Sequence, residues 1–370
     1  MADTYKNILV INLMHIGDLM LVTPVLRTLR SFYGEARLTL LADKKLRDLV
    51  EHNETLDECM LIDKKGTDDH LVNFIKFIKK IREKKFDLVI NLHRNERASA
   101  LAAFSGARRI VGYSKPGFSL LFDEVLPNKK PIMHQIHSHF EVLQKACGVT
   151  KFDDRGLEMV LPPGADEEAQ TLWYENFSPG KKVIAFNIGA SWETKRWLDG
   201  YFAECADDLI SRGYAIAFFG GPMDEEIVRE CIKKMKRRDS GDVKIFTGKV
   251  SLGVLAAMLK RCALFLTTDS GPMHVGVAMN VPIVTMFGSS PVPGFYPYDA
   301  KDILIKTPEK CHPCGIHICP KKGDDFMGCM KHMPPSVIMD AVNKLLEKYE
   351  GMTGNWPPHQ GEYQCQVIEL

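Results

Sequence analysis

The sequence predicts an α/β chain of two similar units in tandem, each a parallel sheet covered by helices on both faces. Three observations predict it. Short β-rich runs alternate with helix-length segments along the whole chain. The runs are apolar throughout, as suits strands buried on both sides. The alternation loosens once, over residues 148–182, where "GVTKFDDRG", "LPPGADEE" and "FSPGKK" supply Pro and Gly that central strands and helices do not tolerate.

In chain order, the first series reads "NILVINL" (7–13), "RLTLLAD" (37–43), "ECMLID" (58–63), "FDLVINL" (86–92) and "RIVGY" (109–113). After the first run, "HIGD" opens an amphipathic helical stretch, "LMLVTPVLRTLR". The second series is "KVIAFNIG" (182–189), "YAIAFFGG" (214–221), "VKIFTG" (243–248), "LFLTTDSG" (264–271), "VPIVTMFG" (281–288) and "DILIKT" (302–307). A closing helix spans 335–349, and the last twenty residues read as a polar tail. The expected division is 1–170, 171–350 and a tail, 351–370.

Composition narrows the class of function. With 370 residues, 45% hydrophobic and 26% charged, the chain is an ordinary globular enzyme in balance, long enough for two cores. Lys+Arg number 48 and Asp+Glu 47, a net charge of +1 that argues against a nucleic-acid partner. The first 150 residues carry an excess of cations, a hint that an anionic partner meets that half, although solvated faces give the same asymmetry. No apolar run is long enough to span a bilayer and "MADTYKNILV" lacks a signal architecture, so a cytoplasmic protein is expected.

Ligands of parallel sheets bind beyond the carboxyl ends of the strands, so the residues just after each run carry the chemistry. In the second series these are "NIGASWETKRW", "FGGPMDEE", "TTDSGPMH" and "MFGSSP", Gly-containing turns that lead into helices. Thr268, Asp269, Ser270 and Gly271 precede Pro272, a good first helical residue, and could bind a phosphate or simply cap the helix. Lys195 and Arg196 could neutralise a diphosphate, or could be solvated. Asp224 or Glu225 could accept from ribose hydroxyls, or could merely complement a helix dipole. Asp18 is either a cap or a catalytic base. The absence of G-x-x-x-x-G-K-[ST], of G-x-G-x-x-G after the first run and of any D-x-D argues against an NTPase loop, a nicotinamide fingerprint and an aspartate pair for a divalent metal.

Together these stretches resemble glycosyltransferase family 9, the ADP-heptose:lipopolysaccharide heptosyltransferases. The resemblance rests on "ILVINLMHIGDLMLVTPVLRTLR", "FDLVINLHRNERASALAAFSGARRIVGY", "NIGASWETKRW", "FGGPMDEE", "FTGKVSLGVLAAML" and "LTTDSGPMHVGVAMNVPIVTMFG", in the family's order from about residue 6 to 345. It implies a GT-B fold, two Rossmann-like domains facing each other across a cleft, with the acceptor on the first and the nucleotide sugar on the second. It implies Asp18 as general base, with Lys195 joining it in catalysis. Donor contacts then fall on Gly17, Ser191, Lys195, Asp224, Glu225, Thr268, Asp269, Ser270, Gly271 and His274. The implied reaction is inverting transfer of heptose from ADP-heptose to a lipid A-linked inner-core acceptor, without metal or cofactor. Arg94, Arg97 and the basic run "KKIREKK" (79–85) are the expected acceptor contacts, and a peripheral contact at the inner face of the cytoplasmic membrane accompanies them.

Two departures stand out. Where the family often has an Arg before the Gly-Asp pair, this chain has Asn12. The helix "MHQIHSHFEVLQKACG" offers three histidines, His134, His137 and His139, of which at least two are expected on a partly exposed face. Cys311, Cys314, Cys319 and Cys329, at C-x2-C-x4-C-x9-C, suggest a structural metal site, disulfides or free thiols. The rival readings are a GT-B transferase for another nucleotide sugar and a non-catalytic sugar- or metal-binding module.

Overall fold

The computed structural model describes residues 5–127, 132–357 and 363–370. It divides into two compact units, 1–160 and 161–370. The first unit orders β1 (Asn7–Ile11), α1 (Ile16–Met20), α2 (Thr23–Tyr33), β2 (Arg37–Asp43), β3 (Glu58–Ile62), α3 (Leu71–Glu83), β4 (Leu88–Asn91), α4 (Glu96–Ala103), β5 (Arg109–Gly112), β6 (Glu124–Val125) and α5 (Gln135–Cys147). The second orders α6 (Ala165–Asn176), β7 (Val183–Asn187), α7 (Asp199–Ser211), β8 (Ala215–Phe219), α8 (Glu225–Lys234), β9 (Val243–Ile245), α9 (Leu252–Leu259), β10 (Leu264–Thr268), α10 (Gly271–Ala278), β11 (Ile283–Phe287), α11 (Val292–Phe295), β12 (Ile303–Lys306), α12 (Gly328–Lys331), α13 (Pro335–Lys348) and β13 (Gln366–Glu369).

The first sheet runs β3-β2-β1-β4-β5-β6 and the second β13-β12-β11-β10-β7-β8-β9. All pairings are parallel, so each sheet has the doubly wound order. The central strands β1, β4, β7, β8, β10 and β11 are buried along almost their whole length, which is why they read as unbroken apolar runs. The strand order reverses between β1 and β4 in one sheet and between β7 and β10 in the other. Both places are crevices where α/β sheets take ligands.

Three boundaries differ from the expectation. The continuous helix after "HIGD" is two helices: Thr23 and Pro24 open α2, and Pro24 supplies no N–H to prolong α1. The unit boundary lies at 160/161 rather than 170/171, because α6 packs on α9. There Asp166 pairs with Arg261 at 2.9 Å, and Gly253 leaves room for Pro162 and Ala165.

The polar tail is in part a strand, because β13 adds to the edge of β12. Trp356 is buried with Tyr349 in the second core, and Tyr363 stacks on Tyr298 at 5.0 Å. The backbone N–H of Gln366 donates to the Asp302 carbonyl. The Asp302 carboxylate accepts from Ile283 N–H at 2.9 Å, and burial pushes its pKa well up.

The histidines of α5 also depart from expectation. His134 and His139 are both buried, and only His137 is half exposed, 3.6 Å from Asp154. His134 Nδ1 accepts from Ile136 N–H and opens α5. His139 faces Tyr113, and burial pushes its imidazole from 6.5 down to about 4. Between those values the unfolded chain binds the extra proton, so stability falls as pH drops through the window. Replacing His139→Phe is expected to reduce the loss of melting temperature between about pH 6.5 and about 4. An unchanged slope in a pH series of thermal melts would contradict this.

Candidate active site

In the first unit, the chain leaving β1 is held by Asn12. Its buried Oδ1 accepts from Met14 N–H at 3.0 Å, and its own N–H donates to Leu41 of β2. Asn12 therefore shapes the turn that a basic residue was expected to occupy. Asp18 follows in α1 with 18% of its side chain exposed, and its Oδ2 is 3.9 Å from Nδ1 of the exposed His15. The N-cap of α1 is His15, which makes no side-chain cap hydrogen bond, and Asp18 lies in the first turn. Gly17 is a buried residue of this same helix.

Two residues that sequence reasoning passed over complete this set. Lys64, just past β3, pairs with Asp43 at 3.0 Å and donates to the Leu13 carbonyl, strapping β3 to the loop that leads to Asp18. His93 lies just past β4. Burial pushes its imidazole down to about 4, and the charges of Lys64 and His15 press the same way, so it is neutral at physiological pH. A histidine directly after an apolar run, as in "NLHR", was the available signal. Arg97 bonds Asp69 and donates to the Lys64 carbonyl at 2.6 Å, so its guanidinium braces the same loop. Arg94 is exposed on the loop before α4.

In the second unit the ends of β7 and β10 are tied together. Asn187 Nδ2 donates to Ser270 Oγ at 2.9 Å and to the Gly189 carbonyl at 3.2 Å, while Thr268 Oγ1 donates to that same carbonyl at 2.7 Å. Lys195 Nζ sits 3.0 Å from Asp269 Oδ2, at an angle that makes the contact an ion pair rather than a hydrogen bond. It also lies over the Trp192 ring, 4.7 Å from its centre. Trp192 in turn stacks on His317 at 4.0 Å, and Thr194 Oγ1 donates to the Ile316 carbonyl. The loop carrying Lys195 is thereby fixed from both sides. Ser191 is exposed on it.

These bonds settle the capping alternative at "TTDSGPMH". Ser270 and Asp269 spend their side chains on Asn187 and Lys195, and α10 has no side-chain cap. Its amide end, with the helix dipole behind it, faces a cation, an arrangement suited to an anion. His274, in the first turn of α10, is buried, which pushes its imidazole down to about 4.

The acidic pair divides. Asp224 is buried, its Oδ2 accepting from Gly221 N–H at 2.9 Å, while its Oδ1 has no protein partner. Burial raises its pKa, against the opposing pull of that N–H and of Arg196. Glu225 is exposed and leans toward Gly248. The clustered cysteines are all free thiols, and no group of His, Cys, Asp or Glu among the described residues is placed to hold a metal. Of the run "KKIREKK", Lys84 pairs with Glu58 and Arg82 donates to the Phe104 carbonyl, while Lys79 and Lys80 face solvent on α3.

Gly189 has no spare room, since a Cβ there would overlap the Asp224 carboxyl group. Gly189→Ala is expected to cost roughly 1–3 kcal/mol in urea unfolding, and much less in an Asp224→Ala background. Equal costs in both backgrounds would show that Asp224 is not what the glycine accommodates.

A sequence profile of glycosyltransferase family 9 (heptosyltransferase) matches residues 74–323. The lipopolysaccharide heptosyltransferase 2 of Escherichia coli is 24% identical over 354 residues, covering 93% of this chain and 99% of the relative. The crystal structure of a family 9 glycosyltransferase from Veillonella parvula superposes with a TM-score of 0.83 at 32% identity, covering 94% of this chain and 99% of that one. The E. coli ADP-heptose lipopolysaccharide heptosyltransferase II gives a TM-score of 0.76 at 21% identity, covering 94% and 100%.

Proposed function

The chain belongs to glycosyltransferase family 9 and has a GT-B fold of two Rossmann-like units, and from that premise we propose that it transfers heptose from ADP-heptose to an acceptor of the lipopolysaccharide inner core. The observation that carries the donor side is the uncapped amide end of α10 facing the Lys195–Asp269 pair. The relative whose name includes ADP-heptose supports the choice of donor. The second unit is read as the nucleotide-sugar domain and the first as the acceptor domain.

In the proposed step, the acceptor hydroxyl oxygen bonds to the anomeric carbon of heptose as that carbon's bond to the diphosphate oxygen breaks. The electron pair leaves with ADP, and the hydroxyl proton passes to the Asp18 carboxylate. A sugar hydroxyl is a poor nucleophile at neutral pH, so this base is the group the reaction needs. A single displacement inverts the anomeric centre. Lys195 and the α10 amides meet the charge that grows on the leaving diphosphate, a task that does not call for a metal. Asp224 Oδ1, buried without a partner, is the better placed of the two acids to accept from a ribose hydroxyl. No described helix is long and apolar enough to cross a membrane. The reading places the lipid-linked acceptor at the cytoplasmic face of the membrane, met by peripheral contact.

Asp18→Asn is expected to lower turnover by about two to four orders of magnitude and to leave the thermal shift induced by ADP unchanged. Transfer at the wild-type rate would remove Asp18 from the mechanism. Among ADP, UDP, GDP and CMP, only ADP is expected to raise the melting temperature, and selective stabilisation by UDP would overturn the donor assignment.

A further inference from the structure

We propose that the outer face of α3, with the turn at 118–121, is the surface by which the first unit docks on an anionic lipid bilayer, an inference that rests on the lipid-linked acceptor proposed above. The inner face of α3 packs Phe77 and Ile81 into the core. Its outer face exposes Leu71, Val72 and Ile75 at 71%, 64% and 56%, large values for apolar side chains. Lys76, Lys79 and Lys80 share that face, and no carboxylate among the described residues pairs with them.

The face continues beyond the helix. Arg82 donates to the Phe104 carbonyl, Phe104 packs edge-on against Phe118 at 6.1 Å, and the turn after Phe118 exposes Leu120 at 95%.

Lys80 Nζ lies over the Phe77 ring, 5.9 Å from its centre. Apolar side chains of this size among lysines without a carboxylate partner match the boundary of an anionic leaflet. The leucines and isoleucine enter the acyl edge while the lysines reach lipid phosphates. A nucleic acid would use the lysines and leave the apolar side chains unexplained, and a net charge of +1 gives it little attraction. The surface is also continuous with the Asp18 loop. Arg97 joins Asp69, just ahead of α3, to the Lys64 carbonyl, and Lys64 Nζ donates to the Leu13 carbonyl. Docking here holds the Asp18 loop close to the plane in which a lipid-anchored acceptor lies.

The test is co-sedimentation of the full chain with vesicles rich in phosphatidylglycerol and with vesicles of phosphatidylcholine alone. Binding to the anionic vesicles that weakens with salt is expected. Lys76→Glu, Lys79→Glu and Lys80→Glu together should weaken it by roughly tenfold or more. Leu71→Ser, Val72→Ser and Ile75→Ser together should also release the protein while leaving its melting temperature and its transfer to a soluble, delipidated acceptor unchanged. Absence of wild-type binding, or retention by both variants, would overturn the proposal. So would a change of oligomeric state in the apolar variant with vesicle binding intact, which would make the face a protein interface. Vesicle binding lost in the variants while the wild type transfers no heptose would leave the surface standing and refute the transferase reading.

Discussion

The carboxyl end of the second sheet is organised about one ion pair, Lys195 with Asp269. The carboxylate is 5% exposed and the ammonium 21%, so each partner makes the other tolerable in a partly desolvated place. Asp269 ends β10 and Lys195 lies in the loop after β7, so the pair spans the point where the strand order reverses. Holding it there requires the neighbouring framework. Asn187 and Thr268 converge on Gly189, Trp192 lies beneath the ammonium, and His317 lies against Trp192. In the proposed reaction, a lysine fixed in this way would meet the charge that develops on the leaving diphosphate with little reorganisation.

The first unit solves a different problem with the same architecture. Its crevice has no Gly-rich phosphate turn. Asn12 uses its side chain to shape the loop, Lys64 braces it from β3, and Asp18 is presented on a short helix. Exposed His15 brings its Nδ1 to 3.9 Å from the Asp18 carboxylate. The Asn12 that seemed a departure from the family is thus part of the way the loop is built. The proposed reaction requires the two sets of residues to act on one sugar.

The strands were legible because burial on both sides forces near-continuous apolar runs, and all eleven expected runs contain one. The two that escaped, β6 and β13, are edge strands. β13 has two half-buried residues between exposed ends, so its sequence carries little of that signal. Boundaries erred where long-range packing decides them, as with α6 on α9. Lys195, Asp269 and Ser270, which the structure brings together at the ends of β7 and β10, were picked out by their places after strand ends. Asn187 and Lys64 were not, because their importance lies in which distant carbonyls and hydroxyls they reach. Gly189 belongs with them, since only the folded chain brings Asp224 against it. For Asp224 itself, the structure adds its burial, which sequence position does not report.

The central claim is that Lys195 is positioned for the second phosphate of a nucleoside diphosphate. Calorimetric titration of ADP and AMP into the wild type and into Lys195→Ala tests it most directly. The wild type is expected to bind ADP more tightly than AMP, and the variant to lose most of that preference while its affinity for AMP changes little. A variant that keeps the full preference for ADP would contradict it.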